Sequence, residues 1–183
     1  VWGALGSDTG GSVRLPAAMC GVSGLKPTHG RVPRTGAMPL SFSTDTVGVL
    51  ARTARDLARL LGVIAGHDAA DPASSAEPVP DAEASLDGDL RGVRIAVIEP
   101  GFVDGAEEEV LRPFLAALGA LRARGAVLSA VAPRIMGAVN AYTALVSRSE
   151  AAMIHAQGMR ERPGDYGGAL AARIYAGYAV PAS

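Results

Sequence analysis

The chain has very little cysteine, lysine or aromatic side chain: one cysteine, one lysine and 4% aromatics among its 183 residues. The single cysteine, Cys20, excludes an internal disulfide and any multi-cysteine metal centre. A formal net charge of −1 leaves no extended field of either sign, which argues against nucleic-acid or membrane-surface binding. No uninterrupted apolar run reaches the roughly 18 residues that a membrane-spanning helix needs. The first residues carry no charged-then-apolar leader, and with one cysteine a cytoplasmic setting is expected. What is present is a chain 49% hydrophobic with 23 glycines, long enough to bury a substantial core.

Two of those glycines sit in the most informative run, Gly6-Ser-Asp-Thr-Gly-Gly-Ser-Val-Arg14. Gly10 and Gly11 permit backbone dihedrals closed to other residues, so successive N–H groups can converge into an anion-binding nest. Downstream, Val13 to Cys20 can open a helix, with Pro16 at an early position where its missing N–H costs nothing. Ser12 then stands at the positive end of that helix. Gly-Gly-Ser is also a common turn and serine a common N-cap, so a purely structural loop stays open on these residues alone. A phosphate cradle lacks its Gly-Lys-Ser/Thr ending, since Val13 follows the serine. Asp8 and Arg14 flank the glycines, where a carboxylate can accept backbone N–H bonds while pairing with a guanidinium; both are expected to brace the loop, with direct substrate contact as the alternative.

The longer stretch Gly6–Pro33 resembles the second half of the signature of the serine amidases called the amidase signature family. The resemblance continues through Ser43–Gly48, Ala65–Asp68 and Asp71–Ser75, then more loosely towards the C-terminus. It implies an α/β fold, a partial amidase-signature fold in which a mixed β-sheet core is flanked by α-helices. It also implies a Ser–cis-Ser–Lys triad in which Ser12 attacks an amide carbonyl and becomes the acyl-enzyme oxygen. Backbone N–H groups of Thr9, Gly10, Gly11 and Ser12 would form the oxyanion hole. Asp45, in the resembling Ser43–Gly48 run, is read as further loop support.

In the family the catalytic lysine and the bridging serine both precede the nucleophile. The one lysine here, Lys26, follows it, in Gly24-Leu-Lys-Pro-Thr28. A serine without an adjacent base is a poor nucleophile. The chain is therefore expected to be a piece of a larger protein, truncated at both ends and inactive by itself. Its parent would hydrolyse a carboxylic amide to an acid plus ammonia or amine. The resemblance implies no cofactor and a small-molecule amide as substrate, and leaves open a homodimer of the full-length protein. Within the family, Ser149–Gly167 resembles free-standing amidases more than the amidase subunit of a tRNA-dependent amidotransferase, which is the alternative. A non-catalytic remnant of the fold, acting in interactions, is a third reading.

The three histidines, His29, His67 and His155, have no spacing that sets them beside Ser12, and His67-Asp68 lacks the partners of a metal site. Cys20, just after an apolar run, is expected to be buried packing.

The periodicity predicts strands at Val1–Leu5, Val22–Leu25 and Thr46–Ala51. A helix follows over Ala54–Ala65, capped by Thr53, with Leu57, Leu60, Leu61 and Ile64 on one face. A right-handed parallel crossover is expected from a strand at Val93–Ile98, a helix at Glu107–Arg124 and a strand at Ala126–Val131. In that helix Leu111, Phe114, Leu115, Leu118 and Leu121 form the apolar face, and Pro113 is expected to shift its start. Helices at 135–162 and 166–178 close the chain, where Tyr142, Met153 and Met159 read as core fillers, with lining of the substrate pocket, which the resemblance implies for this side, as the alternative. The whole reads as the central portion of one amidase domain: a nucleophile-bearing segment (1–66), a surface connection (67–91) and a strand–helix–strand and helical segment (92–183).

Overall fold

Three strands, β1 (Gly3–Asp8), β2 (Ser23–Leu25) and β3 (Thr46–Ala51), make an antiparallel sheet in the order β1-β3-β2. The structure is a computed structural model that describes residues 1–86, 88–99 and 103–180. Asp87 of the 67–91 connection and the last residues, 181–183, lie outside the described residues. Pairing runs from Gly3 with Ala51 to Asp8 with Thr46 on one side of β3, and from Ser23 with Ala51 to Leu25 with Val49 on the other.

Side chains alternate across the sheet, so Val49 and Ala51 share one face and join Leu57 of helix α2 (Ala54–Ile64) in the core. Leu25, Leu60 and Ile64 pack around them. Each leucine buried this way contributes roughly 2 kcal/mol. Thr53 caps α2: its hydroxyl accepts the Asp56 N–H at 3.1 Å and donates to the Asp56 carboxylate at 2.7 Å. The opposite sheet face receives Val13 and the short helix α1 (Arg14–Met19). A Cβ on Gly24 would lie 2.6 Å from Ala17 Cβ, so glycine is what lets α1 approach. That approach fixes the end of β1 from which the Ser12 loop departs.

Cys20 is exposed, not buried. Six-residue α1 turns Ala17 to the sheet, and residues 18–20 consequently face outward.

The chain divides into two compact units, Val1–Leu86 with Ala141–Ser183, and Asp87–Asn140. A boundary at 91/92 thus does not mark the division, because the C-terminal helices join the nucleophile-bearing segment. In the second unit β4 (Arg94–Ile98) and β5 (Val127–Val131) pair in parallel, connected by α3 (Glu108–Ala123). Glu108 and Glu109 in its first turn and Arg122 in its last complement the helix dipole. Pro113 does not move the start: α3 begins at Glu108 and carries the proline inside. Leu115 is exposed, while Leu111, Phe114, Leu118 and Leu121 are half-buried.

Helix α4 (Met136–Glu161) enters the first unit at Ala141 and is followed by a 3-10 turn and α5 (Gly168–Gly177). Ala151, Met159 and Ile174 form a second core there. Met159 is the filler it was expected to be, whereas Tyr142 and Met153 are exposed. The 67–86 connection is more than surface: Asp71 and Ser74 are buried. Asp71 accepts the Arg34 N–H at 2.8 Å, and the Ser75 N–H reaches the Gly30 carbonyl at 2.8 Å. Among the described residues no helix is long and apolar enough to cross a membrane.

Candidate active site

Asp8, the last residue of β1, is fully buried beneath the Ser12 loop. Its carboxylate accepts the N–H groups of Gly11 (2.8 Å), Val13 (3.2 Å) and Arg14 (3.3 Å). The Arg14 guanidinium adds a two-pronged contact, Nε at 3.0 Å and Nη2 at 2.9 Å. Burial by itself would raise the carboxyl pKa; the Arg14 hydrogen bonds, then the backbone N–H groups, outweigh it and hold Asp8 down at about 2. Gly11 has φ +130°, a conformation that suits glycine. The resulting turn carries Ser12 on its exposed side.

Of the N–H groups expected to form an oxyanion hole, that of Gly11 is therefore turned under the loop to Asp8. Among the described residues nothing bonds the N–H groups of Gly10 and Ser12, or the Ser12 hydroxyl. A second carboxylate steadies the loop from the side. Buried Asp45 receives the Thr9 hydroxyl at 2.6 Å on one oxygen and the N–H groups of Leu40 (2.7 Å) and Ser41 (2.8 Å) on the other.

Ser12, Thr9 and Gly10 open onto a cleft of about 370 Å³ whose far wall includes Ser147 and Arg148 of α4 and Arg173 of α5. All of these belong to the first unit. Neither guanidinium is paired with a carboxylate among the described residues, and both arginines are exposed. These arginines escaped the sequence reading. The only signal was the spacing of Ala144, Ser147, Arg148 and Ala151, which lie along one helical face, and nothing in that spacing says what the face looks onto.

The remaining candidates stand elsewhere. Lys26 Nζ donates to the Pro27 carbonyl at 2.9 Å. His29 is exposed, and His67 meets the Ser74 hydroxyl at 3.0 Å. His155 is buried, with Nε2 donating to the Pro39 carbonyl at 3.0 Å and Nδ1 facing the Tyr166 hydroxyl at 3.3 Å. No histidine lines the Ser12 cleft. Among the described residues no group of three or more His, Cys, Asp or Glu is arranged to hold a metal ion.

Comparison with known proteins identifies the family of the chain. The Amidase family model matches residues 1–172, and the chain belongs to this family. The A subunit of glutamyl-tRNA(Gln) amidotransferase from Roseiflexus sp. (strain RS-1) is 52% identical over 122 residues, 67% of this chain and 25% of that protein. Among solved structures, the corresponding A subunit from Thermotoga maritima superposes with a TM-score of 0.80 at 33% identity, over 97% of this chain and 40% of its own. A chain of a vestigial protein complex, described as revealing the origins of an s-triazine catabolic enzyme, superposes with a TM-score of 0.87 at 32% identity, over 99% of this chain and 39% of its own. The chain spans about a quarter of the length of the curated relative.

Two of these three relatives carry the name of the amidotransferase subunit, the alternative to the free-standing amidase that Ser149–Gly167 suggested. In that segment Ala151, Ala152, His155 and Met159 are buried, so packing constrains those four positions.

Proposed function

We propose that this chain carries the nucleophile of the amidase subunit of a tRNA-dependent amidotransferase. The observation that carries the reading is the 52% identity, over 122 residues, with the Roseiflexus amidotransferase protein. In this reading Ser12 Oγ attacks the carbonyl carbon of an amide donor. The oxygen becomes an oxyanion, received by the N–H groups of Gly10 and Ser12; one such donor is worth about 3 kcal/mol of transition-state stabilisation. Collapse breaks the C–N bond, ammonia leaves with the proton taken from Ser12, and the acyl group stays as an ester on Oγ. Water then hydrolyses the ester to the acid. In this reading a lysine and a bridging serine, which in the family both precede the nucleophile, shuttle the proton. Arg148 and Arg173 would favour a donor with a carboxylate, as glutamine has.

The test uses the full-length parent with its partner subunits, measuring ammonia release from glutamine and amide transfer to glutamyl-tRNA. Both are expected, and both should vanish in Ser12→Ala. A second reading, a free-standing amidase acting on a small molecule, has in its favour a TM-score of 0.77 over 98% of the chain with a solved structure described simply as an amidase. It predicts turnover of small amides by the parent alone and no transfer to tRNA. Absence of turnover with every amide would leave the non-catalytic remnant.

A further inference from the structure

A path of hydrogen bonds joins α4 to the Ser12 loop without passing through the reacting groups. Glu150 on α4 accepts the Ser41 hydroxyl, the Ser43 hydroxyl (2.5 Å) and the Ser43 N–H (3.1 Å). Ser41, fully buried, gives its own N–H to Asp45, and Asp45 holds Thr9 of the nucleophile loop. An ionised carboxylate, with two oxygens and no proton to place, accepts all three of these donors. Burial raises the Glu150 carboxyl, but the Ser41 and Ser43 hydrogen bonds outweigh it and keep the group below its ordinary pKa. Glu150 lies one helical turn beyond Ser147, whose neighbours Arg148 and Ala151 form the cleft wall opposite Ser12. The clamp therefore grips both walls of the cleft, the helix directly and the loop through Asp45.

We propose that Glu150 is a positioning residue: by clamping the 40–45 turn it sets the separation between Ser12 and the α4 wall, and so the fit of the amide. The proposal rests on the reading of Ser12 as nucleophile. It separates from a merely structural role because loosening one wall weakens substrate binding before it slows chemistry.

The experiment is steady-state kinetics of the full-length parent on the best amide of a panel of glutamine, asparagine and small aryl and alkyl amides. Glu150→Ala is expected to raise KM on the order of tenfold, with kcat changed far less. Glu150→Asp, which keeps the carboxylate on a shorter stem, should recover part of the loss. Combining Glu150→Ala with Asp45→Asn should cost less than the product of the single effects, because the two act in one path. Should Glu150→Ala fail to fold, Ser43→Ala, at an exposed side chain, and Glu150→Asp are read in its place, with raised KM expected in both. Unchanged KM and kcat in the folded variants, with Ser12→Ala inactive, would overturn the proposal alone. Turnover surviving Ser12→Ala would overturn it together with the functional reading.

Discussion

One carboxylate organises the nucleophile loop. Asp8→Asn leaves a single oxygen for five donors and turns an NH₂ towards them, so a loss of about 3 kcal/mol in a denaturant melt is expected, with turnover lost as well. The pH dependence follows from the sign of the shift. Asp8 titrates at about 2 in the folded chain against an ordinary 3.8, so its ionised form favours folding. That contribution is full above pH 3.8 and fades as pH falls through about 2; it amounts to at most about 2 kcal/mol. Unfolding midpoints of wild type and Asp8→Asn should accordingly converge on acidification, and a constant difference would contradict this account. In the cleft, Arg173→Ala is expected to raise KM for glutamine about tenfold while sparing a neutral amide. Ser12, Asp8 and Arg14 could be read from the chain because they lie within one loop, where spacing fixes geometry. Glu150, Arg148 and Arg173 could not. They reach the site only because two later helices fold back beside the loop, and no local pattern encodes that return.

Elements whose bounds depend on local chemistry matched their sequence. Thr46–Ala51, an apolar run with β-branched Thr46, Val47 and Val49, forms β3, and Thr53 caps α2 through Asp56. Thr53→Ala should cost about 1 kcal/mol. Local pattern misled at two positions: Cys20, expected to be buried, is exposed, and Pro113, expected to shift the start of α3, is carried within it. The contact between α4 and α5 is tightest at Gly177, where a Cβ would run into the Arg148 carbonyl and lie 2.8 Å from Ala152 Cβ. Gly177→Ala must push α5 away and carry Arg173 with it. A stability loss of roughly 1–3 kcal/mol by thermal melt, with KM raised, is the expected outcome.

At the scale of the molecule, large apolar side chains stand in solvent: Trp2 is 87% exposed and Met38 83%. The isolated chain is therefore expected to self-associate in light scattering; a monodisperse monomer with a cooperative melt would contradict that. The central claim concerns Ser12, and its most direct test is covalent trapping. The full-length parent is treated with a fluorophosphonate, which loses fluoride on forming a phosphonyl ester with an activated serine, and the adduct is located by peptide mass spectrometry. The account predicts loss of activity with the adduct on the peptide containing Ser12, and no adduct in Ser12→Ala. Inactivation with the label on a different serine, the Ser12 peptide remaining unmodified, would contradict it.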